Sequence, residues 1–170
     1  VVLVAALILI CVVLVAAVFP WVSDADPSAI SSSTRLNAPS ATHWAGTDEL
    51  GRDVMLRIVH GARYSLMIGF FTAAGAVILG TLLGLLAGFF PRLDAPVMRC
   101  VDAVLSFPDI LLGLALVSIL GASLWNVILA LVIVYTPRVA RVVRANTLVL
   151  HDLLFVDAAP AIGVRTTRIL

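Results

Sequence analysis

No lysine occurs in the 170 residues; all eleven basic side chains are arginine. A phosphate-binding P-loop needs Gly-Lys-Ser/Thr, so the chain carries none, and any ATP that drives it must be hydrolysed on another subunit. Charge of either sign is scarce, at 12% of residues with a net +1. That balance excludes the basic surface a nucleic-acid partner requires. There are only two cysteines. Cys11 lies midway along the first apolar run and Cys100 at the start of the third, at different expected depths, so no disulfide is predicted and no metal-ligand spacing exists. His43, His60 and His151 are scattered singly, as polar surface or interfacial residues and not as ligands.

What fills the chain is apolar. Hydrophobic residues reach 62%, against about 45–50% in soluble domains, and the mean hydropathy is +1.14. A bilayer crossing takes about 20 apolar residues, and the sequence offers an all-α, polytopic membrane protein with four such runs. The first is 1–20, uncharged and ended by Pro20 and Trp21. The visible start has no basic segment, which argues against a secretory signal. The others are about 64–90, 101–120 and 124–143. Residues 22–45, rich in Asp, Ser and Pro, are predicted to be a connection with little structure of its own. Residues 46–63 are predicted to form an amphipathic interfacial helix, capped by Thr47 and braced by an Asp53–Arg57 pair. Within the second run Gly80, Gly84 and Gly88 fall on one helix face and predict close helix packing. Residues 91–96 read as a short polar turn.

Asp102 and Asp109 lie within the third run. Intramembrane carboxylates are costly, which makes them candidates for a transport pathway, although Arg99 stands close to Asp102. Arg138, Arg141 and Arg144 follow the fourth run and read as a stalk leaving the membrane with its arginines at the headgroups. Counting arginines sets the orientation. Arg92, Arg99, Arg138, Arg141, Arg144, Arg165 and Arg168 share one side. Arg35, Arg52, Arg57 and Arg63 share the other, offset by Asp24, Asp26, Asp48, Glu49 and Asp53. The positive-inside rule then places residues 21–63 outside the cell and residues 138–170 in the cytoplasm. A chain that starts at Val1 and stops inside a polar segment reads as a fragment at both ends.

One stretch is more specific than hydropathy. His43-Trp44-Ala45-Gly46-Thr47-Asp48-Glu49-Leu50-Gly51-Arg52-Asp53, continued by Gly61-Ala62-Arg63-Tyr64-Ser65-Leu66, resembles the segment before the second span in permease subunits of bacterial dipeptide, oligopeptide and nickel ABC importers. It departs from that pattern at Trp44 and Ala45. Met98-Arg99 through Val101-Asp102 to Phe107-Pro108 is similar to the family's third span, and residues 155–163 resemble the loop such permeases insert into a groove on their ATPase.

The resemblance implies a type I ABC importer permease fold with four transmembrane helices of an expected six, truncated at the C-terminus. It divides the chain into a first transmembrane helix (1–20), an extracytoplasmic loop with an interfacial helix (21–63) and a permease core (64–170). It implies an ATPase-docking loop of Phe155, Asp157, Ala158, Ala159 and Gly163, and an outer-face motif of Gly46, Thr47, Asp48, Gly51, Arg52, Asp53 and Arg63. The implied partners are a homologous second permease, two ABC ATPase subunits, an extracytoplasmic solute-binding protein and the lipid bilayer. The chain itself is then no enzyme and holds no cofactor or metal, with ATP and Mg on the partners. The implied function is alternating-access import of dipeptides or oligopeptides across the cytoplasmic membrane, or of nickel. An ion-coupled carrier or channel using Asp102 and Asp109 is the reading from another class. Asp157 replaces the family's usual Glu and Pro160 its usual Arg, so Pro160 is expected at a helix start or a kink.

Overall fold

The computed structural model describes residues 2–22 and 26–151, together with Leu153 and Val156. Five α-helices follow one another: α1 Val2–Val22, α2 Val54–Phe89, α3 Pro91–Leu105, α4 Asp109–Leu120 and α5 Leu124–His151, with a single 3-10 turn at Ser32–Thr34. Among the described residues the extended structure is limited to one bridge between Thr47 and Asp53. The chain divides into two units, Val1–Gly69 and Phe70–Leu170, and α2 runs through the boundary.

In the first unit α1 is apolar on every side, and Ala16 is its one fully buried side chain among those described. A helix apolar all round and exposed along most of its described length suits a lipid environment. The segment after it differs from the predicted structureless connection. Ser31 N–H donates to the Leu50 carbonyl, Leu36 N–H to that of Asp48, and Thr47 N–H to that of Asn37, each at 3.1 Å. Residues 31–37 and 47–51 therefore lie side by side as a clasp. Two glycines make this possible. Gly46 and Gly51 have φ of +71° and +74°, and a Cβ on Gly51 would lie 1.8 Å from the Ser31 carbonyl oxygen. Serine and aspartate counts signal a loop, but they do not reveal the cross-chain bonds that fold it.

The predicted interfacial helix at 46–63 is also corrected. Helix begins only at Val54 and continues without a break to Phe89. Thr47 does not cap it; Asp53 does, with Oδ1 accepting the Leu56 N–H at 3.0 Å. At 1.5 Å per residue α2 is about 54 Å long, well beyond the ~30 Å hydrocarbon core, so its first turns extend past the span.

The second unit is built on α5. Ile128, Ala130, Val132, Val134, Thr136, Pro137 and Ala140 are its buried residues. The glycines of α2 meet it as expected. A Cβ built on Gly80 would come within 2.5 Å of Val139, on Gly84 within 2.7 Å of the Ala140 carbonyl oxygen, and on Gly88 within 2.7 Å of Thr147. Gly75, outside the predicted stripe, extends it against Val132 at 2.7 Å. Contacts advance in the same direction along both helices, so α2 and α5 are parallel. Aromatic pairs mark the two ends: Phe71 with Trp125 at 5.6 Å and Phe89 with His151 at 5.5 Å.

That arrangement constrains what lies between them. From Phe71 to Phe89 is about 27 Å of helix, and α3 and α4 must carry the chain back over that distance. The sequence predicts a polar turn at 91–96 and one straight span over 101–120. Instead α3 starts at Pro91, where proline's missing N–H costs nothing, and the two helices meet at a 92° bend. Pro108 explains the break. It withholds an N–H and pushes Phe107 out of the helical region, while Ser106 closes α3 by donating its N–H to the Asp102 carbonyl. α1, α2 and α5 are each long and apolar enough to cross a membrane among the described residues, and the bent α3–α4 pair meets the same test only with its two halves counted together, as a broken span or a re-entrant loop.

Candidate functional site

Two clusters of charge are built from these elements. The first is the clasp ahead of α2. Thr47 Oγ1 accepts the Asn37 N–H at 2.9 Å and donates to the Thr34 carbonyl. Asp48 accepts the backbone N–H of Leu50 at 2.8 Å and of Arg52 at 3.0 Å, and its other oxygen takes the guanidiniums of Arg52 at 2.7 Å and Arg57 at 2.5 Å. Asp53 caps α2 through one oxygen and lies 2.8 Å from His43 Nδ1 through the other. Gly46, Thr47, Asp48, Gly51, Arg52 and Asp53 thus converge on one knot, and His43 belongs to it. The predicted Asp53–Arg57 pair is replaced by Asp48–Arg57 and His43–Asp53. Asp53 turns to its own helix start because an N-cap carboxylate faces N–H donors that an i,i+4 partner cannot displace. Arg63 lies outside the knot, exposed ten residues along α2. Trp44, next in sequence to His43, is 75% exposed.

Both carboxylates hold their charge strongly. At Asp48 burial pushes the carboxyl up, but the backbone N–H groups of Arg52 and Leu50 and the Arg52 guanidinium outweigh it, leaving the group well below the usual 3.8. At Asp53 burial again pushes up and is outweighed by the Leu56 N–H, the His43 ring and the Met55 N–H. A depressed folded pKa contributes stability above the unfolded value and loses it only as pH falls through the folded one. The clasp is therefore expected to stay folded from pH 7 to 4, opening below that, as read by hydrogen exchange at Leu36 and Thr47. In Asp48→Asn that acid transition shrinks and the clasp is looser at pH 7.

The second cluster joins α3 and α4 to α5. Asp94 pairs with Arg144, Asp102 with Arg141 and Asp109 with Arg138. Asp102 and Asp109, read from sequence as pathway candidates, are thus each matched by an arginine, and the partner of Asp102 is Arg141, not Arg99. The arginines read as a stalk are the other half of a three-rung ladder. Arg138 lies about 20 Å along α5 from Trp125, at its first turn. Sequence reasoning missed the ladder because its partners are 29, 39 and 50 residues apart. The available signal was an even match of three acids, Asp94, Asp102 and Asp109, on α3 and α4 with three arginines on α5.

Of the predicted docking loop, Phe155, Asp157, Ala158, Ala159 and Gly163, with Pro160, lie outside the described residues. Just before it, α5 ends at His151, and Leu153 and Val156 donate N–H groups to the carbonyls of Leu150 and Leu153 at 3.2 and 2.9 Å.

Residues 76–170 match the family model of the binding-protein-dependent transport system inner membrane component. The chain is 45% identical over 159 residues to a dipeptide transport system permease protein of Alkalihalophilus pseudofirmus, covering 93% of this chain and 52% of that protein. It is 41% identical to a probable D,D-dipeptide transport system permease protein of Escherichia coli K12, covering 93% and 53%. A glutathione transport system permease protein of another Escherichia coli strain is 41% identical, covering 98% and 55%. The chain spans about half the length of these curated relatives. With its apolar helices and this match, it is an integral membrane protein that belongs to the inner-membrane permease components of binding-protein-dependent transport systems.

Proposed function

We propose that this chain is part of a permease that moves dipeptides or short oligopeptides across the cytoplasmic membrane by ATP-driven alternating access. The relatives named above are dipeptide, D,D-dipeptide and glutathione transport permeases, which supports the substrate class. The observation that carries the mechanism is the course of α5. It leads from the glycine-packed core, past all three ladder arginines, to His151, immediately before the 155–163 segment. Force applied to that segment by a closing ATPase would reach α3 and α4 through α5 and its ion pairs. A second permease would complete the path, and a solute-binding protein would meet the clasp on the outer side. The energy comes from the ATPase binding two permease conformations with different affinity.

Ion coupling through Asp102 and Asp109 is less well supported, because each carboxylate already has a guanidinium partner that a travelling cation would have to displace. Nickel import remains a substrate alternative within the same mechanism. The test is uptake of a labelled dipeptide by proteoliposomes holding the full-length permease pair, its ATPases and the binding protein. Gly163→Arg is expected to cut uptake at least tenfold and to release the ATPase subunits on purification. Full uptake in that variant, or uptake driven by a proton gradient with ATP absent, would overturn the proposal.

A further inference from the structure

Between α2, α3 and α5 runs an open groove of about 510 Å³. Leu83, Val97, Cys100, Val104, Ile133 and Pro137 line it, and almost no polar atom faces into it. In a membrane protein such a groove is filled by something apolar. Charges on α3, the helix that supplies much of its wall, say what else the occupant carries. In the second unit the three arginines of α5 are all paired with aspartates. Arg92 and Arg99 of α3 are exposed and form no ion pair among the described residues. Seven residues apart, they share one flank of α3, with Pro96 of the groove wall close to that flank. α3 is strongly amphipathic, as helices at a membrane surface are.

We propose that this groove is a binding site for an anionic phospholipid. One acyl chain lies along Leu83, Val97, Val104 and Ile133, and the headgroup phosphate is held by Arg92 and Arg99. The commitment to lipid follows from the juxtaposition. A free anion would use the two arginines and leave the groove empty, and an apolar protein surface would use the groove and leave two guanidiniums unanswered. A phospholipid with net negative charge answers both. Arginine offers a planar fork of donors to phosphate oxygens, and basic pockets between spans favour anionic headgroups.

The test uses the complete permease complex in nanodiscs with a phosphatidylglycerol that carries a photoactivatable diazirine in one acyl chain. Labelled peptides are expected from residues 93–104 and 133–137. Unlabelled phosphatidylglycerol is expected to compete roughly thirtyfold better than phosphatidylcholine, from about 1 kcal/mol per arginine, and inorganic phosphate is expected not to compete. In Arg92→Gln/Arg99→Gln that preference disappears while weak labelling persists. In Arg92→Lys/Arg99→Lys most of it returns, which separates lost charge from lost folding. Cys100→Trp, which fills the groove, is expected to remove the labelling. The proposal fails if the two lipids compete equally, if phosphate competes as well as phosphatidylglycerol, or if Gln and Lys variants behave alike. It fails also if a crosslinker on Cys100 captures protein in place of lipid, which would show that another subunit or another part of a longer chain covers the groove.

Discussion

Gly84→Leu is expected to abolish transport and to leave little assembled permease in the membrane, whereas Gly113→Ala is expected to do no harm. At Gly84 the first added carbon would already stand 2.7 Å from the Ala140 carbonyl oxygen and 2.7 Å from Val143 Cβ. Both are fixed: one is backbone and the other a branched carbon next to it. Even Gly84→Ala must push α2 from α5, and overpacking of this kind costs about 1–3 kcal/mol. Leucine adds three more carbons with nowhere to go. In a bilayer, where water gives the helices no reason to associate, close packing is most of what holds them. At Gly113 nothing lies within 4 Å of the added carbon. There the same Gly→Ala change adds about 1 kcal/mol of helix propensity. One chemical change thus has opposite signs at two positions. Thermal unfolding in nanodiscs measures both, and a neutral Gly84→Ala would show that α2 and α5 do not pack through this stripe.

The second large effect concerns the deepest rung. Arg138→Ala leaves Asp109, at the start of the apolar helix α4, without its partner. A lone ionised group at the centre of a span costs about 2.5–3.5 kcal/mol on insertion scales, with less expected nearer the edge. We expect Arg138→Ala to lower the unfolding midpoint and the transport rate more than Arg144→Ala, whose partner Asp94 lies near the surface. Arg138→Ala/Asp109→Ala is expected to recover most of the stability, because the orphan charge is gone. If transport stays low while stability returns, the rung serves in coupling α5 to α4 and not only in holding them. Equal loss in the single and double variants would rule out the pairing.

The apolar runs that become α1, α2 and α5 were legible because a bilayer demands them. So was the glycine stripe, since a four-residue repeat on one helix has a single geometric meaning. The clasp was not. Thr47 reads as a helix cap from its neighbours alone, yet its hydroxyl is already engaged by Asn37 and Thr34 across the chain, and the capping falls to Asp53. The bend was half legible. Pro108 was visible inside the third run, but proline is often accommodated in a span, and only the parallel packing of α2 and α5 shows how far the pair must reach. The ladder was invisible for the reason that hid the clasp: local pattern does not encode which distant charge will answer Arg138.

The 92° bend has a consequence for biogenesis. α4 has twelve residues, about 18 Å of helix against a core of about 30 Å. It is too short to enter the bilayer as an independent segment. Its partner for entry is α5, joined to it through the turn at Gly121 and still inside the ribosomal exit tunnel when α4 emerges. Insertion here is therefore ordered in time. The first half of the broken crossing waits at the surface until α5 emerges, and α4 and α5 then enter as a hairpin, with Arg138 reaching Asp109 as they do. A nascent chain arrested when α4 but not α5 has left the exit tunnel is expected to leave α4 accessible to aqueous thiol reagents at an engineered cysteine, and one long enough for α5 to emerge as well is expected to protect it.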